Sequence, residues 1–186
     1  MRREIEIRDP LALRALAHPL RIQLLSLLRS EGQMTASEAA RRLGESSGST
    51  SYHLRQLARY DLVEEAGGRR GRERPWRATA LFTSWPDVPD NEELEAASQE
   101  FSRFVLGRYV ERLEAWIEKQ PEEAPEWREA ASIGDTMLYL TVDELAALRD
   151  ALTELAEPYL ERLGSPELRP SGSRPVSFLR IAIPHD

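Results

Sequence analysis

The stretch Thr35–Tyr60, TASEAARRLGESSGSTSYHLRQLARY, gathers the side chains best suited to recognising another molecule. Ser47, Ser49, Thr50 and Ser51 offer short hydroxyls that bond bases or phosphates. Gln56 can pair bidentately with adenine, and Arg55 can hold a guanine or a phosphate. Tyr52 and His53 lie among them, and Thr35 and Ser37 open the preceding segment. A second cluster follows, in which Arg69, Arg70, Arg72 and Arg74 sit beside Gly67, Gly68 and Gly71. Arginines on a glycine-loosened loop suit a phosphate ladder or a minor groove, and each phosphate neutralised adds about 0.9 to the slope of log affinity against log salt. These types and spacings point to double-stranded DNA as the partner.

Other chemistries find less support. His18, His53 and His185 are scattered, without the His-x-x-x-His or Glu-x-x-His spacing of a metal site. Gly67-Gly68-x-x-Gly71 lacks the Lys-Ser/Thr of a phosphate loop. Glu122, Glu123, Glu126 and Glu129 read as a solvated acidic face. No catalytic partners surround the serines of 46–51 and no paired carboxylates mark a hydrolase, so the chain is not expected to be an enzyme and implies no cofactor. Cysteine is absent, which excludes disulfides, thiolate metal sites and cysteine nucleophiles.

The recognition residues need elements to hold them. Asp9-Pro10 places an acceptor before a helix-compatible proline, and His18-Pro19 breaks the helix and restarts it, predicting helices over about 10–17 and 19–30. Leu20, Leu24, Leu27 and Leu28 form an apolar stripe on the second. Thr35-Ala36-Ser37-Glu38 is a capping box opening a helix that Gly44 ends, and a fourth helix runs from about 48 to 60 with Leu54 and Leu57 facing inward. Leu62–Ala66 and Pro75–Thr79 read as the strands of a hairpin, the second an edge strand because Pro75 cannot donate to a ladder. Three helices and such a hairpin make a winged helix-turn-helix.

Behind it the character of the chain changes. Residues 1–86 carry a net charge of +5 and residues 87–186 one of −12, within an overall −7 over 186 residues and 21.2 kDa. An acidic surface repels phosphate within about a Debye length, ~8 Å at physiological salt, so a polyanion belongs at the front. Pro86 and Pro89 coincide with the switch and place a linker at 83–90, between a DNA-binding domain at 1–82 and a C-terminal region at 91–186. There Asp90 and Glu93 are expected to cap a long helix through about Lys119, with apolar residues from Leu94 to Ile117 at spacings of three or four. Its roughly 43 Å exceeds what a small domain covers alone and suggests pairing with a second copy. Thr136–Leu140 and Val176–Ile183 read as strands flanking a helix that Thr141 and Glu144 open, which gives a small α/β tail. Phe101, Phe104, Tyr109, Trp116, Trp127, Tyr139 and Phe178 read mainly as core and dimer interface, with a pocket between the long helix and the α/β tail for an unknown small-molecule effector as the alternative. The expected fold class is α+β and mainly helical. No apolar run has the length of a membrane span or a secretory leader, so a cytoplasmic protein is expected.

Three runs carry a family resemblance: Ala15-Leu16-Ala17-His18-Pro19-Leu20-Arg21, Ser49-Thr50-Ser51-Tyr52-His53-Leu54-Arg55-Gln56-Leu57, and Asp61-Leu62-Val63-Glu64 with the hairpin ending in Pro75-Trp76-Arg77. In order and spacing, over about residues 9–80, the chain resembles the ArsR-type winged helix-turn-helix repressors. The resemblance implies a homodimer, a palindromic operator, helix 48–60 in the major groove and control by a ligand. It departs from the metal-sensing members, whose thiolate ligands lie near the helix before the turn. Two other classes remain compatible: a protein-interaction module whose acidic back docks a basic partner, and a ligand sensor with little DNA affinity.

Overall fold

The computed structural model describes residues 2–67 and 74–185. The elements run β1 (Arg2–Glu6), α1 (Pro10–Leu16), α2 (Pro19–Glu31), α3 (Ala36–Leu43), α4 (Ser47–Ala58), β2 (Val63–Glu65), β3 (Trp76–Ala78), β4 (Ala80–Ser84), α5 (Glu92–Lys119), α6 (Pro125–Ala130) and α7 (Val142–Gly164). The fold is mainly helical α+β with a winged helix-turn-helix. The chain divides into two compact units, one of residues 1–105 with 161–169 and the other of 106–160 with 170–186. The segment 83–90, expected as a linker between domains, therefore lies inside the first unit, as does the N-terminal half of α5.

Capping chemistry sets the helix starts. The Asp9 carboxylate accepts from the Leu11 amide at 2.8 Å, and His18 Nδ1 accepts from the Leu20 amide at 3.2 Å. Thr35 Oγ1 accepts from the Glu38 amide while the Glu38 carboxylate accepts from the Thr35 amide at 2.7 Å, which closes the expected box. Gly44 at φ 69° ends α3 in the left-handed region, where a side chain would be strained. For α5 the cap is Asn91, whose Oδ1 accepts from the Leu94 amide at 2.8 Å; Asp90, expected in that role, only accepts from the Asn91 side chain.

The core of the first unit forms where leucine stripes converge. Leu13 and Leu16 of α1, Leu24, Leu25 and Leu28 of α2, and Leu54 and Leu57 of α4 are all fully buried, joined by Leu62, Val63, Leu94 and Phe101. Each such side chain contributes roughly 1.5–3 kcal/mol of burial. Arg29 stitches α2 to β4 through the Ala80 carbonyl at 2.9 Å and Thr83 Oγ1 at 2.6 Å, and burial pushes its pKa down to about 10. The guanidinium thus stays charged at neutral pH without a carboxylate in these bonds.

β2 and β3 form a two-stranded antiparallel sheet, Val63 against Ala78 and Glu65 against Trp76, so β3 is an edge strand as expected, carrying one isolated bridge on its outer side. Trp76 also exchanges both backbone bonds with Met34, at 2.8 and 3.0 Å, on its other side. Pro75 is tolerated because its carbonyl, not an amide, is the group needed there, accepting from Ala66 at 2.7 Å. The N-terminal residues, read only as lacking a leader, form β1, which pairs parallel to β4 with Glu4 opposite Phe82.

In the second unit none of the described residues is fully buried. The strands expected at Thr136–Leu140 and Val176–Ile183 do not form; both segments are irregular. Neither has a neighbouring strand to satisfy a ladder, so β-propensity alone does not organise them. The helix opened by the Thr141–Glu144 box forms as expected, with Pro158 inside it. Arg174 joins this unit together locally, pairing with Glu123 at 2.8 Å and lying 4.0 Å over the Trp127 ring.

Candidate nucleic-acid interface

Helix α4 has two unlike faces. Thr50, Leu54 and Leu57, at spacings of four and three, point into the core against α2 and α3. On the other side Ser47, Gly48, Tyr52, Arg55 and Arg59 are exposed, and Ser49, Ser51, His53 and Gln56 are half-buried along its margins. The entry to this helix is fixed by Ser46, whose hydroxyl accepts from the Ser49 amide at 3.1 Å. Gly44 and Glu45 both donate back to the Ala40 carbonyl, which makes the connection from α3 tight. The short side chains at the start of α4 leave its backbone approachable, and Arg55 with Tyr52 extends that face by one turn.

Not every expected contact residue lies on it. Thr50 is completely enclosed, so its hydroxyl is turned away from any ligand; the i, i+4, i+7 pattern with Leu54 and Leu57 was the signal for this. Thr35 is buried as well, and its hydroxyl serves the capping box with Glu38. Ser37, the second residue of α3, is half-buried. Arg69, Arg70 and Arg72 lie outside the described residues. Arg74 is exposed and pairs with Glu65 at 2.9 Å, while Arg77 pairs with Glu64 at 2.8 Å, so carboxylates of β2 balance part of the hairpin's positive charge. Arg59, overlooked in the sequence, extends the exposed face of α4 four residues beyond Arg55.

Thr50 permits a sharp check. Its Oγ1 is buried and has no hydrogen-bond partner among the described residues, a state that costs about 1–3 kcal/mol relative to a satisfied hydroxyl. Thr50→Val, which keeps the shape, is expected to leave the chain equally or more stable by up to about 1 kcal/mol. Thermal melting measures the first effect. An unchanged DNA affinity in the same variant would agree with the inward orientation; a loss of affinity would contradict it.

At the other end of the face, His53 meets His18, the cap of α2, with ring centroids 4.4 Å apart. Burial, and then Arg21, holds His18 below the usual imidazole range. Burial, followed by His18 and Arg21, does the same to His53. Within each unit the aromatic residues singled out in the sequence take different places. Phe101 is core and stacks on Phe104, Trp127 lies beneath Arg174, and Tyr139 and Phe178 are exposed. A cleft of about 370 Å³ does open within the first unit, between Trp85, Pro86 and Pro89 and the start of α5. Among the described residues, no three His, Asp or Glu side chains are placed to hold a metal, and no single helix is long and apolar enough to cross a membrane.

This geometry agrees with what the chain is similar to. Residues 16–66 match the helix-turn-helix domain family. The helix-turn-helix domain so matched contains α2, α3, α4 and β2. No curated protein matches the chain. Among solved structures, the transcriptional repressor BigR from Xylella fastidiosa is 21% identical, over 52% of this chain and 82% of that one, with a TM-score of 0.32. The homodimeric winged helix-turn-helix DNA-binding domain of Mb0332 from Mycobacterium bovis, a possible ArsR-family transcriptional regulator, is 24% identical over 56% and 80%, with a TM-score of 0.34. The adhesin competence repressor AdcR from Streptococcus pyogenes is 15% identical over 76% and 81%, with a TM-score of 0.36.

Proposed function

We propose that the chain is a sequence-specific DNA-binding transcriptional regulator of ArsR type, acting as a homodimeric repressor on an inverted repeat. The observation that carries this reading is the two-faced α4: an apolar side anchored by Leu54 and Leu57, and an outer side of Ser47, Ser51, Tyr52 and Arg55. A helix so anchored presents a polar, cationic surface to a major groove ~12 Å wide. Base recognition falls to Arg55, Gln56 and the exposed hydroxyls of α4, and phosphate contact to the arginines between β2 and β3. Ser49 and His53, half-buried, flank that surface, and Ser37 stands at the start of the preceding helix. Two copies with recognition helices about 34 Å apart would read two half-sites one duplex turn apart. No enzymatic role is assigned, and a small-molecule effector is compatible with the cleft beside Trp85.

The test is an anisotropy titration with labelled DNA from upstream of the chain's own gene and with scrambled DNA, at about 150 mM salt. Affinity for the first at least a hundred-fold higher, within the ~10³–10⁷ range typical of specific binders or just below it, supports the reading. Two protomers per site support the dimer. Equal, weak binding to both sequences would instead favour an interaction module. In the same assay Gln56→Ala is expected to narrow the gap between the two DNAs, by about 1–3 kcal/mol if it reads a base.

A further inference from the structure

We propose that binding of duplex DNA at α4 draws one proton onto the His18–His53 pair, so that affinity rises as pH falls. The inference rests on the DNA-binding reading and adds to it a proton-coupled joint between the cap of α2 and the recognition helix.

The two imidazoles are tilted by 39° with centroids 4.4 Å apart, and Tyr52 stands edge-on to His53 at 5.1 Å. Their nitrogens are differently engaged. His18 Nδ1 is the acceptor that caps α2, bonded to the Leu20 amide, so its lone pair is committed and protonation there would undo the cap. His53 Nδ1 is buried with no hydrogen-bond partner among the described residues, and neither has Arg21 Nε beside the pair. The proton therefore goes to His53. It stays single, because two imidazolium rings at this separation would repel each other and Arg21.

The charges acting on the pair come from α2 and from the turn before α4. Arg21 of α2 opposes protonation and Glu45, in the turn before α4, favours it; Tyr52 and Tyr60 act on Arg21. On the other elements packed against α4, Arg14 of α1 pairs with Glu93, Arg42 of α3 with Glu31, and Glu64 and Glu65 of β2 with Arg77 and Arg74, while Arg41 of α3 is exposed. In the free protein burial dominates and keeps both rings neutral at pH 7. A phosphate brought to the exposed side of α4 adds the negative charge that the joint lacks. An opposite charge within about 4–6 Å favours the imidazolium, so the His53 pKa stands higher in the complex than in the free protein. A group whose pKa is higher in the complex than in the free protein takes up a proton on binding, and binding is then tighter at lower pH.

Anisotropy with a fluorescein-labelled mixed-sequence duplex of about 30 base pairs, read from about pH 8 to about pH 6, tests this. The Kd is expected to tighten about ten-fold over that interval. His53→Gln should flatten the dependence to less than about two-fold whatever its absolute affinity, while His185→Gln keeps the full slope. His18→Asn preserves a capping acceptor but removes the neighbouring ring, and should move the rise to higher pH. A wild-type chain that binds with pH-independent affinity, or a His53→Gln chain that keeps the slope, overturns the proposal and leaves the DNA reading standing. Absence of binding at every pH overturns both. A melt at each pH separates binding from unfolding. Folding lowers both imidazoles, so the unfolded chain binds more protons below about pH 6.5 and stability declines as pH falls through that range.

Discussion

A chain in which Arg69, Arg70, Arg72 and Arg74 are all replaced by glutamine should bind duplex DNA on the order of a hundred-fold more weakly at about 100 mM salt, with a salt slope lower by about 2–4. Phosphate contacts release counterions, so removing cations reduces affinity and its salt dependence in the same proportion. Specific and scrambled DNA should lose affinity nearly equally, because phosphates carry no sequence information. Arg74 is the member whose surroundings qualify the sum. It is 77% exposed on its side chain and already faces Glu65, so its contact with phosphate competes with a surface pair worth at most about 1 kcal/mol. The fold should not notice: Arg74 and its pair lie outside the apolar cluster that holds α2, α4 and β2 together. Titrations at several salt concentrations, with a melting curve as control, measure all of this. An unaltered slope would remove the hairpin from the interface, while a drop in affinity confined to one sequence would give it a role in base reading.

The first hundred residues were legible because local chemistry and packing agree there. Asp9, His18, Thr35 and Ser46 each cap the helix they precede, and the leucine stripes of α2 and α4 converge on one core. Where expectation failed within this region, a residue had to be weighed against two demands. Thr50 is a short hydroxyl in a serine run, which reads as contact, but it stands four residues before Leu54, which makes it core. β1 was invisible because its pairing with β4 joins residues almost eighty positions apart, and Arg-Arg-Glu-Ile-Glu has no apolar alternation to announce a strand. The candidate site followed the same rule. Arg55 and Ser51 could be placed by helical periodicity, whereas the meeting of His18 with His53 depends on how α2 crosses α4 and has no trace in sequence spacing.

Behind residue 105 the sequence promised more order than one copy of the chain delivers, and the reason is the lack of anything to pack against. Leu106, Val110 and Ile117 lie along α5 at spacings of four and seven, and all remain about half exposed or more. Val176 with Phe178 and Ile181 with Ile183 stand two residues apart, as on the faces of a strand, yet each is also more than 60% exposed. A monomer seldom leaves more than about 300–600 Å² of contiguous apolar surface in water. A dimer interface of ordinary size hides about 800 Å² on each partner, which is the scale such side chains require.

If the chain is the homodimer proposed above, Leu106→Glu combined with Val110→Glu should convert it to a monomer and, with it, lower affinity for an inverted repeat by at least about a hundred-fold. The two carboxylates would enter an apolar contact without partners, at a cost of several kcal/mol for each buried charge. The loss on DNA is indirect. Once one half-site is held, the second copy binds its own half-site at an effective concentration set by the tether, up to the millimolar range, and a monomer forfeits that gain. Both positions are exposed in the single chain, so the winged helix-turn-helix should melt as before, and binding to one isolated half-site should be unchanged. Sedimentation velocity gives the mass, and anisotropy on whole and half operators gives the two affinities. If the variant stays dimeric, the contact lies on another face. A monomer that still binds the whole repeat as tightly as the parent would separate DNA recognition from dimerisation altogether, because the second half-site would then contribute nothing.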